Sequence, residues 1–574
     1  MKQLYTLNRF IAIAALFIFL SISASGYSQR YNSSSANQFK NAAFIRDTLR
    51  LSYELKSPFF WNLAATPAKQ TEAGMFPEMD YTGDLATGYN RAKLAWYIID
   101  PLFYDTTGNL RPDNVGPDDL SDPWARQVLK DELFPDKSFP GGIPPNMPIL
   151  NLAYHPSERG PYNFDTDGME GISEGITSNG RLKAPERRWG GITRRIEKYP
   201  YGQEPEKIVS ILFWLMDPFV DDLASGGDLY FNYGDISEDV MCDAKMFFEH
   251  GIQDPEIPGN NDVSIWGLVP LNPPQNENFG QHSREIQDAG MDGMHNNHEA
   301  EFFHEYLAAI ETLFGDTSQA YQRALADPSA DDYHYFRGSD YDEDPLYSSI
   351  LERYKHFNGT EGNSPTDQQN PENYPMASTM LPDKEDLDGD NMLDLAENYY
   401  QYKIRLYPDE MQVGMNYIDQ VYHATGIQLP NGQQTECKWY HFNIPLEMHE
   451  KILGNPPQFE SCNFMRIFLK GFSEPVTLRF GTLELNRIRN NPRIFDIEVT
   501  PNPADTYFKI EFSELVKKQF EFTLTDILGR KVLEDNAEIL YYEHRLDVSH
   551  IKTGFYVLTI TTPDFRFVKK VYIK

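Results

Sequence analysis

Five carboxylates fall at calcium-loop spacing in the stretch Asp386-Leu387-Asp388-Gly389-Asp390-Asn391-Met392-Leu393-Asp394-Leu395-Ala396-Glu397. Numbered as a twelve-residue loop, Asp386, Asp388, Asp390, Asp394 and Glu397 take positions 1, 3, 5, 9 and 12. Calcium takes about six to eight oxygen ligands, and this spacing wraps carboxylates around one point. Leu393 supplies the apolar eighth position. Asn391 stands sixth, where Asn tolerates the left-handed turn that Gly usually makes. The chemistry expected is Ca²⁺ binding, and the competing reading is an acidic turn between domains.

A weaker loop begins at Asp288, with Asp292 and Glu299 at positions 5 and 12 and Gly293 at position 6. Its third position is Gly290, which brings no side-chain ligand. His295, His298 and His304 lie nearby but lack the His-Glu-x-x-His arrangement that sets a base beside zinc, so a solvated helix start is the better reading. Tyr333, Tyr335, Phe336, Trp439 and Tyr440 have rings that stack on sugars, yet aromatics in a sandwich more often fill its core. The sequence shows no phosphate-cradling glycine loop and no Cys/His dyad. No catalytic residue is nominated. Cys242, Cys437 and Cys462 leave one Cys437–Cys462 disulfide or three free thiols equally open.

Elements that would position these residues are mainly β-strands. Leu49–Leu55 alternates apolar and polar residues, as a half-buried strand does. Ile208–Phe219 carries the unbroken apolar run Ile211–Met216, which suits a strand buried on both faces. Gly226–Gly234 reads as its neighbour. Asp122–Leu133 reads as a helix capped by Asp122 with Pro123 in its first turn. Glu299–Phe314 carries apolar residues at helical spacing. A second β block comprises Tyr399–Leu406, Gln412–Ile418, Trp439–Leu446, Met465–Phe472 and Val476–Asn486. The fold class expected is mainly β with some helices, built from galactose-binding-like or jelly-roll sandwich modules.

The 574 residues carry a formal charge of −34, with 40% hydrophobic and 14% aromatic residues. That is globular composition, and so acidic a surface repels nucleic acid and anionic lipid. Lys2 and Arg9, the apolar run Phe10–Leu20 and small residues at Ser23–Gly26 read as a secretory signal peptide. The last eighty-odd residues shift in character. Thr500-Pro501-Asn502-Pro503-Ala504 precedes short alternating strands at Tyr507–Phe512, Phe522–Asp526 and Gly554–Ile560, and the chain closes on Lys569-Lys570-Val571-Tyr572-Ile573-Lys574. Pro501, Asn502 and Gly529 read as turn formers.

With Asp526-Ile527-Leu528-Gly529-Arg530 between them, these features resemble the type A C-terminal sorting domain of type IX secretion cargo. The resemblance implies an Ig-like sandwich, sorting roles for Pro501, Asn502, Pro503, Gly529, Lys569 and Lys570, and contact with the type IX translocon and its shuttle. It also implies passage through the periplasm to the cell surface or medium. Further segments resemble the SprA family of gliding-motility and type IX translocon proteins: Tyr89–Phe103, Ser157–Phe164, Arg188–Ile192, Phe213–Phe219, Tyr333–Asp340, Tyr399–Tyr402 and Phe464–Phe472. Family members are far longer and enclose a transmembrane barrel, whose strands of about 9–11 residues repeat many times. Such repeats are not seen here, so the expectation is a passenger outside the membrane. The expected division is a signal at 1–26, a flexible segment with the first strand at 27–69, a SprA-like region with a first sandwich at 70–380, a second sandwich at 381–490 and the sorting domain at 494–574. The function expected is a non-enzymatic cell-surface protein with a surface protein or glycan partner. A carbohydrate-binding adhesin is the alternative, and an extracellular hydrolase is a third reading.

Overall fold

The computed structural model describes residues 42–67, 75–105, 110–137, 145–197, 207–220, 226–249, 261–271, 289–358, 383–512, 518–526, 530–539, 543–561 and 566–574. The segment 1–26 expected to be a signal, Asp288 and Gly529 lie outside them. The chain divides into two compact units, a body of Arg50–Arg489 and a unit of 1–49 with 490–574.

The body is built on two large antiparallel sheets, with a two-stranded hairpin of Asn261–Ser264 and Gly267–Pro270 besides. One runs, edge to edge, through Ile418–Gln428, Gln434–Pro445, Lys207–Met216, the first part of Val476–Thr500, Leu150–Arg159 and Ala92–Tyr97. The other is six-stranded: Lys451–Leu453, Asn398–Leu406, Gly227–Asp235, Phe464–Lys470, Trp189–Arg195 and Asn62–Leu63. Alternation decides which residues fill the space between them. Phe213 and Leu215 point to the shared core with Phe231, Ile404 and Ile467, and the Phe213 and Phe231 rings meet at 5.6 Å. The intervening Trp214 and Met216 join a second cluster with Val128, Met147 and Trp439 on the opposite face. Continuous apolar sequence in this strand therefore does reflect burial on both faces.

Several expectations are corrected. The boundary at 380/381 does not separate two sandwiches, because strands from both sides of it alternate in each sheet: Phe442 pairs with Phe213, and Tyr402 with Phe231. Gln412–Ile418 is a turn, and the strand begins at Ile418. Asp122 does cap a turn, its Oδ1 accepting from Trp124 N at 2.7 Å, but helix appears only at Lys130–Leu133. Arg126 reaches Glu132 through two 2.8 Å bonds, and Ala125 and Val128 enter separate cores, so burial overrides local propensity. The Glu299–Phe314 pattern becomes two helices, Asn296–Phe302 and His304–Phe314, broken at Phe303. Cys242, Cys437 and Cys462 are buried free thiols.

The C-terminal unit is likewise sandwich-like. Its four-stranded sheet orders Lys531–Ile539, Lys518–Asp526, Gly554–Thr561 and Arg566–Ile573. Opposite, Tyr507–Phe512 lies between the end of Val476–Thr500 and Glu543–Asp547. Phe522, Leu524, Leu558 and Ile560 from one sheet share a core with Phe508, Ile510 and Leu546 from the other. Among the described residues no helix is long and apolar enough to cross a membrane.

Candidate metal centres

The Asp386 stretch forms a loop of consecutive bends. Gly389 and Asn391 adopt φ of 73° and 63°, turning the backbone so that its amides face inward. Asp386 Oδ1 accepts from Gly389 N at 2.7 Å and Asp390 N at 3.1 Å. Asp388 accepts from Asp390 N, and Asp390 from Met392 N. Asp394 lies at the far side of the turn, its carboxyl pushed up by burial and then by Asp388 and Asp390.

Glu397 does not join this group. Both its oxygens are on Arg466, at 2.9 Å each, so the twelfth-position ligand is corrected to a buried ion-pair partner. Glu238 takes its place. This residue, which loop spacing alone could not find, accepts from Leu387 N and Asp388 N through Oε1 and from Asp394 N through Oε2. Glu238, Asp386 and Asp388 bring carboxylate oxygens within 4.8 Å of one another. Burial raises the Glu238 carboxyl to about 7, against the lowering effect of the amides. Lys384 Nζ stands 3.5 Å from Asp386, a partial counter-charge already present.

A second group forms around the weaker candidates. Asp292 precedes the helix Asn296–Phe302 and Glu299 lies in that helix's first turn. Asp331 follows the helix Gln319–Ala326. Asp292, Glu299 and Asp331 are all buried, with carboxylate oxygens within 4.8 Å of one another. Ser329 donates to both of the first two, from Oγ to Asp292 at 2.6 Å and from N to Glu299 at 2.9 Å. Burial pushes all three carboxyls up, and the neighbouring carboxylates push Glu299 and Asp331 further. The histidines do not converge: no metal-type group among the described residues contains one, and His304 Nδ1 faces the Glu301 carbonyl.

The sugar-stacking reading fails for the aromatics named for it. Tyr333, Tyr335 and Phe336 are buried in one core cluster, and Trp439 and Tyr440 in two others.

The sequence segments that carried the SprA resemblance meet one another. Asn163 donates to the carbonyls of Tyr89 and Arg91 at 2.9 and 2.6 Å. Arg188 joins the Tyr89 carbonyl to Asp165, and Trp189 donates from its backbone to Asn90 O and from Nε1 to Glu78. These motifs form a buried polar knot with a structural role. In the tail, Asn502 Oδ1 accepts from Tyr572 N at 2.9 Å and its Nδ2 donates to Lys570 O at 3.4 Å. The opening and closing sorting motifs are therefore in contact, with Pro501, Asn502 and Pro503 exposed beside the last strand.

Residues 498–574 match the family of secretion system C-terminal sorting domains. Residues 305–515 match a motility-related/secretion protein family, the SprA N-terminal type. The second match overlaps the first strands of the sorting domain and begins at residue 305. A sorting domain of this kind implies recognition by the type IX secretion system and export to the surface or medium. No curated protein matches the chain. Among solved structures, β-glucuronidase of Ruminococcus gnavus in complex with uronic isofagomine is 13% identical over 27% of this chain and 29% of its own, with a TM-score of 0.11. The Parabacteroides merdae β-glucuronidase is 12% identical over 27% and 24%, with a TM-score of 0.12. The chain spans less than a third of either enzyme, and at these scores neither carries an argument.

Proposed function

We propose that this protein is a type IX secretion cargo whose body works at the cell surface as a non-enzymatic accessory to gliding or secretion, through protein–protein contact. The observation that carries this reading is the order of the two matched stretches, a motility/secretion region followed by a sorting domain. The sorting domain engages the translocon and shuttle, and the body supplies the surface function. Matches to motility and secretion families, together with buried rather than displayed aromatics, favour this over the adhesin reading. We further propose that the Asp386–Asp394 loop with Glu238 takes Ca²⁺ outside the cell.

Fractionation of native cells tests the export reading. The full chain is expected at the surface or in the medium, and a chain lacking residues 494–574 in the periplasm. Unimpaired release of the shortened chain would refute it. Glycan-array binding by the body would favour the adhesin.

A further inference from the structure

We propose that Asp292, Glu299 and Asp331 hold a buried calcium ion that ties the helix Asn296–Phe302 to the segment following the helix Gln319–Ala326. This site is separate from the Asp386 loop and stands whether or not the export reading does.

Three carboxylates this close and this buried form an electrostatic conflict that needs a cation or protons. Asp331 makes the stronger case. It is 1% exposed, and neither oxygen receives a hydrogen bond. The Tyr162 hydroxyl lies near enough to favour its charged form but is outside hydrogen-bond geometry. A buried, unpartnered carboxylate aimed at two others is a ligand without its metal or a costly defect.

Gly290 explains how the loop is completed. In a calcium loop its position carries a side-chain oxygen, and here it has no side chain. A Cβ built on Gly290 would lie 2.1 Å from Asp331 Oδ2 and 3.5 Å from Asp292 Oδ1. The Asp331 oxygen thus occupies the space where a third-position ligand would begin. The missing side chain makes room for a carboxylate supplied from elsewhere in the chain. Asn296, at the ninth position, has its Oδ1 buried and without a donor as well. An all-oxygen set selects a hard cation. A dry set of carboxylates favours calcium over magnesium, which retains several waters.

The test uses the full chain carrying Asp388→Ala and Asp390→Ala, which disable the other cluster. After chelator treatment it is titrated with Ca²⁺ by calorimetry and thermal melting. The expected result is one calcium per chain and a higher melting temperature, with Mg²⁺ weaker by about tenfold or more. Adding Asp331→Asn weakens calcium by about tenfold or more and removes the melting shift. Absence of calcium binding in the parent means shared protons only and overturns the site. Equal affinity in the Asp331→Asn chain also overturns it. Should that variant not fold, Glu299→Gln and a direct count of calcium in the parent replace it, and a count of zero overturns the inference.

Discussion

The interiors of the body and the tail are built on different chemistry. The body buries charge throughout: Arg188 with Asp165 at 2.9 Å, Arg126 with Glu132 at 2.8 Å, and Arg466 with Glu397 at 2.9 Å. In the tail, Thr559 is the one buried polar side chain among the described residues, and its ion pairs, such as Arg530–Asp526, involve exposed groups. A dry alternating core asks only that hydrophobic residues face inward, so many sequences satisfy it. A core full of paired charges asks for particular residues at particular places. That contrast suits a portable address appended to a specialised payload.

The largest effect that would break this comparison comes from parting a buried pair. Arg466→Leu leaves the Glu397 carboxylate uncompensated and is expected to destabilise the body by about 3–5 kcal/mol. Arg466→Leu with Glu397→Leu should recover most of that loss, because the charge is gone from both sides. Urea midpoints of the two variants decide the matter, and equal midpoints would erase the claimed difference. In the tail, Leu558→Ala is expected to cost about 2–5 kcal/mol by leaving a cavity, seen as lost amide protection in the tail strands. Removing the buried polar side chain there, by Thr559→Val, should cost less.

The same contrast governs what the sequence disclosed. Phe520, Phe522 and Leu524 alternate with Glu521 and Thr523, and the first set is buried. Local pattern and final burial agree there because neighbouring strands are short and close in sequence. In the body, Phe213 pairs with Phe442 on one side and Leu483 on the other. The strand is legible but its partners are not, since nothing local records a pairing between segments so far apart. The sites follow suit. Spacing could put Asp386 beside Asp388 and Asp292 near Glu299, because each pair lies within one short stretch of chain. It missed Glu238 and Asp331, which arrive from other elements, and it assigned Glu397 a calcium role because spacing cannot see Arg466.

A smaller effect concerns pH. Glu78 is fully buried, accepts from Asn90 Nδ2 and Trp189 Nε1, and has its carboxyl raised chiefly by burial, with Lys470 opposing. Arg91 is another charged neighbour. A raised acid holds its proton more tightly folded than unfolded. It is therefore neutral in both states at low pH, and its cost appears as pH climbs from the unfolded value, about 4.3, toward the folded one. Melting temperature is expected to fall over that window and to fall less in Glu78→Gln. Parallel curves for the two proteins would remove Glu78 from the account. The Lys470 ammonium, lowered to about 8 by burial, contributes the opposite slope at alkaline pH.

The smallest expected effect is in the tail and is the sharpest on function. Asn502 joins the opening turn to the last strand through Tyr572 N and Lys570 O. Asn502→Ala removes two bonds made by an exposed side chain, so water replaces them, and the loss should be about 0.5–1.5 kcal/mol. If the tail is read for export as a folded shape, this small loosening should slow surface delivery little, while Leu558→Ala should stop it. If instead Asn502 is itself touched by the export machinery, Asn502→Ala should block delivery while barely moving amide protection. Measuring both quantities on both variants separates a foldable address from one read residue by residue. The contact between Asn502 and the terminal strand accounts for the former, because it gives the motif a structural task that needs no outside reader.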